Sequence, residues 1–156
     1  KATTSDYNEQ FDFLTEVIAK IDETHQVLEE IEQLSTRLKK FKKAYNLSEK
    51  DTIIGEIDSM LKTLSFIHNA LYQTKNRSNQ DPINFPIKLN NKLAHLNSLV
   101  RMGHFGPTQQ AIEVKNELMS QIDNYLEQYQ IVKDDRLKEL NKMILSRRLE
   151  YIKVDE

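Results

Sequence analysis

Residues 5–45 read SDYNEQFDFLTEVIAKIDETHQVLEEIEQLSTRLKKFKKAY, a stretch that contains neither glycine nor proline. Its first stripe repeats every three or four residues, with one histidine among the apolar side chains: Phe11, Leu14, Ile18, Ile21, His25, Leu28. This spacing predicts an amphipathic, coiled-coil-like helix. After a three-residue skip, which locally overwinds a heptad pattern, the stripe continues as Ile31, Leu34, Leu38, Phe41, Tyr45. Such a long helix cannot bury its stripe alone, so the sequence predicts partner helices.

A second helix is predicted over residues 49–74. Ser48 and Asp51 have the spacing of a capping box, with Asp in place of the usual Glu or Gln. The apolar positions that the pattern places on the inner face are Ile53 or Ile54, Ile57, Met60 or Leu61, Leu64, Ile67, Leu71. Residues 75–86 are polar and include two prolines, which indicates an irregular loop.

Two further helices complete the prediction. The third covers residues 89–102 and ends at Gly103; its apolar face is Leu89, Leu93, Leu96, Leu99, Val100. The fourth runs from Pro107, since proline suits a first helical turn, to residue 146, with a possible interruption at 133–135. Its apolar positions are Ala111, Val114, Leu118, Ile122, Tyr125, Tyr129, Val132, Leu137, Leu140, Ile144. Residues 150–154 alternate briefly and are expected to lie extended.

Composition agrees with this pattern. The chain of 156 residues has only three Gly and three Pro, and 29% of its residues are charged. Few turn formers and no strand-period segment predict one all-α domain over residues 1–156, an up-down four-helix bundle with two long and two shorter helices.

Charge and hydropathy exclude several classes of partner. The net charge is −2, whereas a nucleic-acid binder is normally basic. No apolar run approaches the roughly 18 residues that a membrane span needs, so no membrane insertion is expected. The chain begins with Lys1 and shows no signal peptide, from which we expect a processed product or a carboxyl-terminal fragment of a larger protein.

The histidines do not form a metal-binding pattern. A helical metal bundle places Glu-x-x-His pairs on two helices, and none of His25, His68, His95 and His104 belongs to such a pair. Without cysteine, thiol catalysis and Cys-based metal sites are excluded. The adjacent acids Asp134 and Asp135 would point about 100° apart on a helix and form no acid/base dyad. We therefore predict no catalytic residue, no metal and no cofactor.

Two other features have structural explanations that we favour. Arg37, Lys39, Lys40, Lys42 and Lys43 complement the negative end of the helix dipole; the alternative is a site for an anion or an acidic partner. The tyrosines are expected at the edge of the core, with the ring inside and the hydroxyl in water; the alternative is a ligand cleft. They are Tyr45, Tyr72, Tyr125, Tyr129, Tyr151.

The central run DPINFPIKLNNKLAHL, residues 81–96, and GPTQQ, residues 106–110, are the most particular segments. They resemble the carboxyl-terminal helical region of large bacterial β-propeller proteins with BNR or sortilin-like repeats, often labelled glycosyl hydrolases. Residues 11–21 and 137–144 are similar to the family's first and last helices. The motif residues, which we interpret as fixing a loop against the bundle, are Pro82, Asn84, Pro86, Leu89, Asn90, Asn91, Lys92, Leu93, Pro107, Thr108.

The resemblance implies a non-enzymatic helical module that packs on, or links, the propeller domains of a larger exported protein, whether periplasmic, outer-surface or secreted. The partner would be the propeller part of the same parent chain or another protein. This hypothesis predicts an exposed apolar face. The alternative is a free-standing ligand-binding or sensor domain with an internal cleft lined by tyrosines. An enzyme is a third hypothesis and would require His25, His68 or His95 to meet an acid in a pocket.

Overall fold

The computed structural model describes residues 2–45, 51–73, 86–103 and 105–147. This part of the chain is helical and contains no β-strand, which confirms the predicted all-α bundle with two long and two shorter helices. The helices are α1 Thr4–Tyr45, α2 Thr52–Leu71, α3 Leu89–Met102, α4 Gln109–Ile131 and α5 Leu137–Ser146, and the π-helical turn Val132–Arg136 joins α4 to α5. Within the described ranges, no helix is both long and apolar enough to cross a membrane.

The chain divides into two compact units, so the single domain over residues 1–156 stays a prediction. Unit 1 comprises Lys1–Gln26 and Asn69–Tyr125, and unit 2 comprises Val27–His68 and Leu126–Glu156. Each unit includes parts of α1, α2 and α4. Helix α3 belongs to unit 1, and α5 belongs to unit 2.

Unit 2 has an extensive apolar core. Its part of α1 runs antiparallel to α2, because the Lys42 Nζ contacts both carboxylate oxygens of Asp58 at 2.7 and 2.8 Å while Glu32 contacts His68. The predicted stripes of α2 and of the chain after residue 126 are buried. The core consists of Leu28, Ile31, Leu34, Leu38, Phe41, Ile53, Ile54, Ile57, Met60, Leu64, Ile67, Tyr129, Val132, Leu137, Leu140, Ile144.

Unit 1 has a smaller core. Helix α3 is antiparallel to α1, because the Gln10 Nε2 donates to the Val100 carbonyl at 2.7 Å while His25, later in α1, contacts Asn90, earlier in α3. Helix α4 is parallel to α1, since the Lys20 ammonium reaches Asp123 at 2.7 Å and Lys115 pairs with Glu16. The apolar core is Phe13, Val17, Leu71, Leu89, Leu93, Leu118, Met119, Ile122, and the buried polar residues are Thr24, Asn90, Lys115.

The predicted stripe in the first half of α1 is wrong by about one helix position. Phe11 and Ile18 are 68% and 49% exposed, while Phe13 and Val17 are buried. The buried stripe continues through Thr24, whose hydroxyl donates to the Lys20 carbonyl at 2.7 Å. A threonine with this bond is tolerated in a core, so the true inner face carries a polar residue that an apolar pattern overlooks.

The helix starts differ from the predictions because other side chains act as caps. Helix α2 begins at Thr52, and the Asp51 carboxylate accepts the Ile53 backbone N–H at 2.9 Å; Ser48 lies outside the described residues. The predicted box with Asp51 therefore stays a prediction, and a reciprocal capping box occurs at Thr3 and Asp6, with bonds of 3.2 and 2.7 Å.

The start of α4 is also displaced from the prediction. Pro107 precedes the helix rather than opening it. The Thr108 hydroxyl is the cap, because it accepts the Ala111 backbone N–H at 3.1 Å. Proline at this position fixes the approach of the chain, and the threonine fixes where the helix begins.

The expected interruption near residues 133–135 is a π-helical turn, Val132–Arg136. One extra residue per turn moves the apolar stripe from Val132 to Leu137, a spacing of five, and both side chains remain buried. The Arg136 guanidinium donates to Glu56 at 2.9 Å, to Thr63 at 3.1 Å and to Ser59 at 2.8 Å, three residues of α2. The turn therefore keeps the apolar stripe in the core and places the Arg136 guanidinium against α2.

Candidate functional site

Exposed apolar side chains are concentrated in unit 1. Of the eleven large apolar residues that are exposed in the described ranges, eight belong to unit 1: Tyr7, Phe11, Ile18, Ile87, Leu99, Met102, Phe105, Val114. The three in unit 2 are Phe66, Ile131, Leu145. Among the described residues, unit 1 thus buries fewer apolar residues than unit 2 and exposes more. Where such side chains lie together, they mark a surface that another molecule covers.

Several of these side chains line a groove of about 510 Å³, which we call the apolar groove. It lies between the carboxyl-terminal half of α3, the connection of residues 103–108 and the first turns of α4. Its lining residues are Leu96, Leu99, Val100, Gly103, Phe105, Gly106, Pro107, Thr108, Gln110, Ala111, Val114. Leu99 is 50% exposed and Phe105 is 62% exposed. Among the described residues, no charged side chain belongs to this lining, so this part of the groove can bind an apolar surface without desolvating a charge.

Hydrogen bonds to α1 hold the connection that forms one wall of the groove. The Gln10 amide donates to the carbonyls of Val100 and Gly103, at 2.7 and 3.0 Å. The Gly106 N–H donates to the Asp6 carboxylate at 3.1 Å. A Cβ atom at Gly106 would lie 3.1 Å from the Glu9 carboxylate, so a residue without a side chain suits this close approach.

The motif residues differ in their surroundings. Leu89, Leu93 and Asn90 are buried in unit 1. Pro107 and Thr108 line the apolar groove, which their resemblance motif had not suggested. Pro86 accepts a hydrogen bond from the Gln73 amide at 3.0 Å, and Lys92 is exposed, without an ion pair in the described part of the chain. Pro82 and Asn84 lie outside the described residues. The structural role of the motif therefore stays a prediction.

The motif interpretation suggests that Asn90 holds a loop. Among the described residues, however, its side chain bonds to no loop backbone. Its Nδ2 lies 3.0 Å from the Nε2 of His25, and the His25 ring meets Tyr72 edge-on at 5.6 Å between centroids. The Oδ1 atoms of Asn90, Asn91 and Asn97 are buried and have no partner in the described structure. Buried acceptors without partners carry a free-energy cost. The hydrogen-bonding capacity of these three α3 side chains is therefore only partly used in the described structure.

The histidines are separated in the structure. His25 contacts Asn90, His68 lies 3.1 Å from Glu32, and His95 is exposed; His104 lies outside the described residues. In the described ranges, no cluster of three or more His, Asp or Glu side chains could hold a metal ion.

Tyr129 differs from the predicted edge position. It is 1% exposed, and its hydroxyl donates to Glu30 at 2.9 Å. Burial and this carboxylate raise the pKa of Tyr129 well above its ordinary value. Tyr45, Tyr72 and Tyr125 are half-buried, and Tyr151 lies outside the described residues.

Two residues that the sequence analysis did not single out hold α1 to α4 in unit 1. Lys115 is buried, pairs with Glu16 and lies 5.2 Å from the Phe13 ring centroid. For Lys20, burial disfavours the ammonium, but hydrogen bonds to Asp123 and Glu23 outweigh this and raise its pKa. A lone lysine on an inner helix face is the signal that could have identified Lys115.

Comparison of the chain with protein-family models, with curated proteins and with solved structures finds no match.

Proposed function

We propose that this chain is a non-enzymatic helical module that packs, through the apolar groove of unit 1, on the propeller domains of a larger exported bacterial protein. The observation that carries the proposal is the excess of exposed apolar side chains in unit 1 over unit 2. The resemblance of residues 81–96 and 106–110 to the terminal helical region of such proteins supplies the partner.

The chemistry of the groove supports a protein surface as its occupant. Leu99, Phe105 and Val114 are large and 47–62% exposed. Hydrogen bonds from the chain between α3 and α4 to α1 hold the backbone beside them. Burying such side chains contributes about 25 cal/mol for each Å² of apolar surface. In a chain without a partner, the same side chains stay exposed to water and favour aggregation.

The second candidate is a free-standing ligand-binding domain. A volume of about 510 Å³ lies within the range of small-molecule sites. However, no tyrosine of the described ranges lines the apolar groove, whereas the predicted ligand cleft was to be lined by tyrosines. A thermal-shift screen with apolar ligands distinguishes the candidates, because a ligand site predicts a rise in Tm that Leu99→Asp abolishes in the isolated chain.

The first test of the module is the size of the native product. We expect an antibody to this chain to detect, in an exported fraction of the source cells, a band several times larger than the chain. A band at the chain's own size would contradict the module.

The second test measures binding to the separately purified propeller region. Leu99→Asp places a charge in the apolar groove and is expected to weaken binding by at least tenfold, because the carboxylate must be desolvated. Leu145→Asp is the matched control, since Leu145 is 54% exposed but belongs to α5 of unit 2. Equal affinity of the two variants would show that the groove is not the interface.

A further inference from the structure

Unit 2 has a cavity of different chemistry between α1 and α2, which we call the polar cavity. Its volume is about 370 Å³. Ile31 and Leu64 contribute apolar atoms, whereas Ser35, Thr36 and Lys39 contribute polar atoms from α1. From α2, His68 reaches the cavity with a side chain that is only 14% exposed.

Three donors on the α1 side of this cavity have no partner in the described part of the protein. Neither the Ser35 nor the Thr36 hydroxyl has a hydrogen-bond partner among the described residues, and Lys39 has no ion pair there. Ser35 and Lys39 are four residues apart, so their side chains are neighbours on one face of α1. The Ser35 hydroxyl and the Lys39 ammonium are therefore available on one face of α1, and Thr36 also lines the cavity.

The helix dipole does not account for Lys39. Its effect falls off within the last turn, and the basic residues of that turn are Lys42 and Lys43. Lys39 lies farther from the end of α1 at Tyr45. The dipole therefore explains Lys42 and Lys43, but it does not explain Lys39.

Nearby acids do not neutralise Lys39 either. Glu32 lines the polar cavity, but its Oε1 lies 3.1 Å from the His68 Nε2. Glu30 accepts hydrogen bonds from Tyr129 at 2.9 Å and from Lys133 at 3.0 Å. Beside the cavity, the exposed Lys40 lines a neighbouring depression of about 330 Å³ and adds positive charge.

We infer that the polar cavity binds a phosphoryl group, either as free phosphate or carried on a small molecule. A phosphoryl group offers three acceptor oxygens and a charge of about −1.5 to −2, which matches the free hydroxyls of Ser35 and Thr36 and the ammonium of Lys39. The apolar atoms of Ile31 and Leu64 leave space for a small carrier. This site is independent of the apolar groove and of the proposed module.

The test is an NMR titration of the full chain with inorganic phosphate and, separately, with O-phosphoserine at constant ionic strength. Because the site is open, we expect a Kd on the order of 1 mM, with shifts confined to residues 31–39 and 64–68. Saturation by both probes would indicate phosphate itself, and saturation by O-phosphoserine alone would indicate a carried phosphoryl group.

Two variants are expected to change the affinity in opposite directions. Lys39→Ala is expected to weaken binding about tenfold, since a charge-assisted hydrogen bond is lost. Glu32→Gln is expected to strengthen it about threefold, because the amide retains a bond to His68 while a repelling charge is removed. Lys62→Ala is the control, as Lys62 is exposed on α2 and lines neither cavity. Absence of shifts at about 10 mM probe, or equal losses for Lys39→Ala and Lys62→Ala, would overturn the inference.

Discussion

At the scale of single residues, buried polar groups distinguish unit 1. Asn90 is buried, has one hydrogen bond to His25 and leaves its Oδ1 without a partner in the described structure. The sequence placed both Asn90 and Asn91 in the motif that we interpret as fixing a loop, but it did not reveal that they differ. That difference depends on which side chain of α1 faces α3, and local sequence does not encode it.

Asn90→Ala is expected to lower the free energy of unfolding by about 1 kcal/mol, because the bond to His25 is lost. Asn91→Ala should cost less, since the structure shows no hydrogen bond of this side chain within the described ranges. Urea unfolding followed by circular dichroism measures both. Equal losses for the two variants would contradict the assigned roles.

The Asp6 carboxylate predicts a pH dependence. Hydrogen bonds from the Thr3 hydroxyl, the Thr3 N–H and the Gly106 N–H lower the pKa of Asp6 from its ordinary value of 3.8. A lowered pKa in the folded state stabilises the fold above pH 3.8, and this contribution is lost as the pH falls through the folded pKa.

The variant Asp6→Asn makes this measurable. At about pH 6, its Tm should lie below that of the parent chain, and the difference should shrink as the pH falls through the folded pKa of Asp6, because the carboxylate then becomes protonated. Thermal unfolding at several pH values measures the difference. A constant difference across this range would mean that the carboxylate charge is not what stabilises the capping box.

At the scale of elements, the π-helical turn shows why α4 and α5 share one stripe. The sequence carried the signal, since Val132 and Leu137 are five residues apart rather than three or four. This spacing alone could not distinguish a π turn from a break in the helix, because both move the apolar stripe by one residue. Arg136, with its three partners on α2, favours the continuous form.

Deletion of the exposed Asp135 should convert the π turn into α-helix and leave Leu137, Leu140 and Ile144 in the core. The expected cost is less than about 2 kcal/mol, mostly from displaced contacts of Arg136. Deletion of Glu127, an exposed residue of regular α4, is the matched control and should cost far more, because it rotates the downstream core residues by about 100°. Thermal unfolding compares the two, and equal losses would contradict the role of the π turn.

At the scale of the whole molecule, the two units differ in the apolar surface they bury. The larger core of unit 2 predicts that its amides are the best protected in native-state hydrogen exchange. We expect amides of α3 to exchange faster than those of residues 53–67 in the isolated chain. Slower exchange in α3 would show that core size does not set local stability here.

Helical class and the stripes of α2 and α5 could be predicted from the sequence because their periodicity is strong. The inner face of α1 could not, since Thr24 is buried while Phe11 and Ile18 are exposed. The same ambiguity concealed the candidate site: Leu99 and Val114 fit an inner stripe by spacing, yet they line the apolar groove. An apolar side chain that packs on another molecule follows the same sequence spacing as one that is buried within its own domain.

Hydrogen exchange of residues 96–114, compared between the isolated chain and the intact larger protein, tests the central proposal most directly. If the apolar groove packs on the propeller domains, exchange in this segment should slow by at least tenfold in the intact protein, while residues 137–146 keep their rate. Identical exchange of residues 96–114 in both forms would contradict the proposed module.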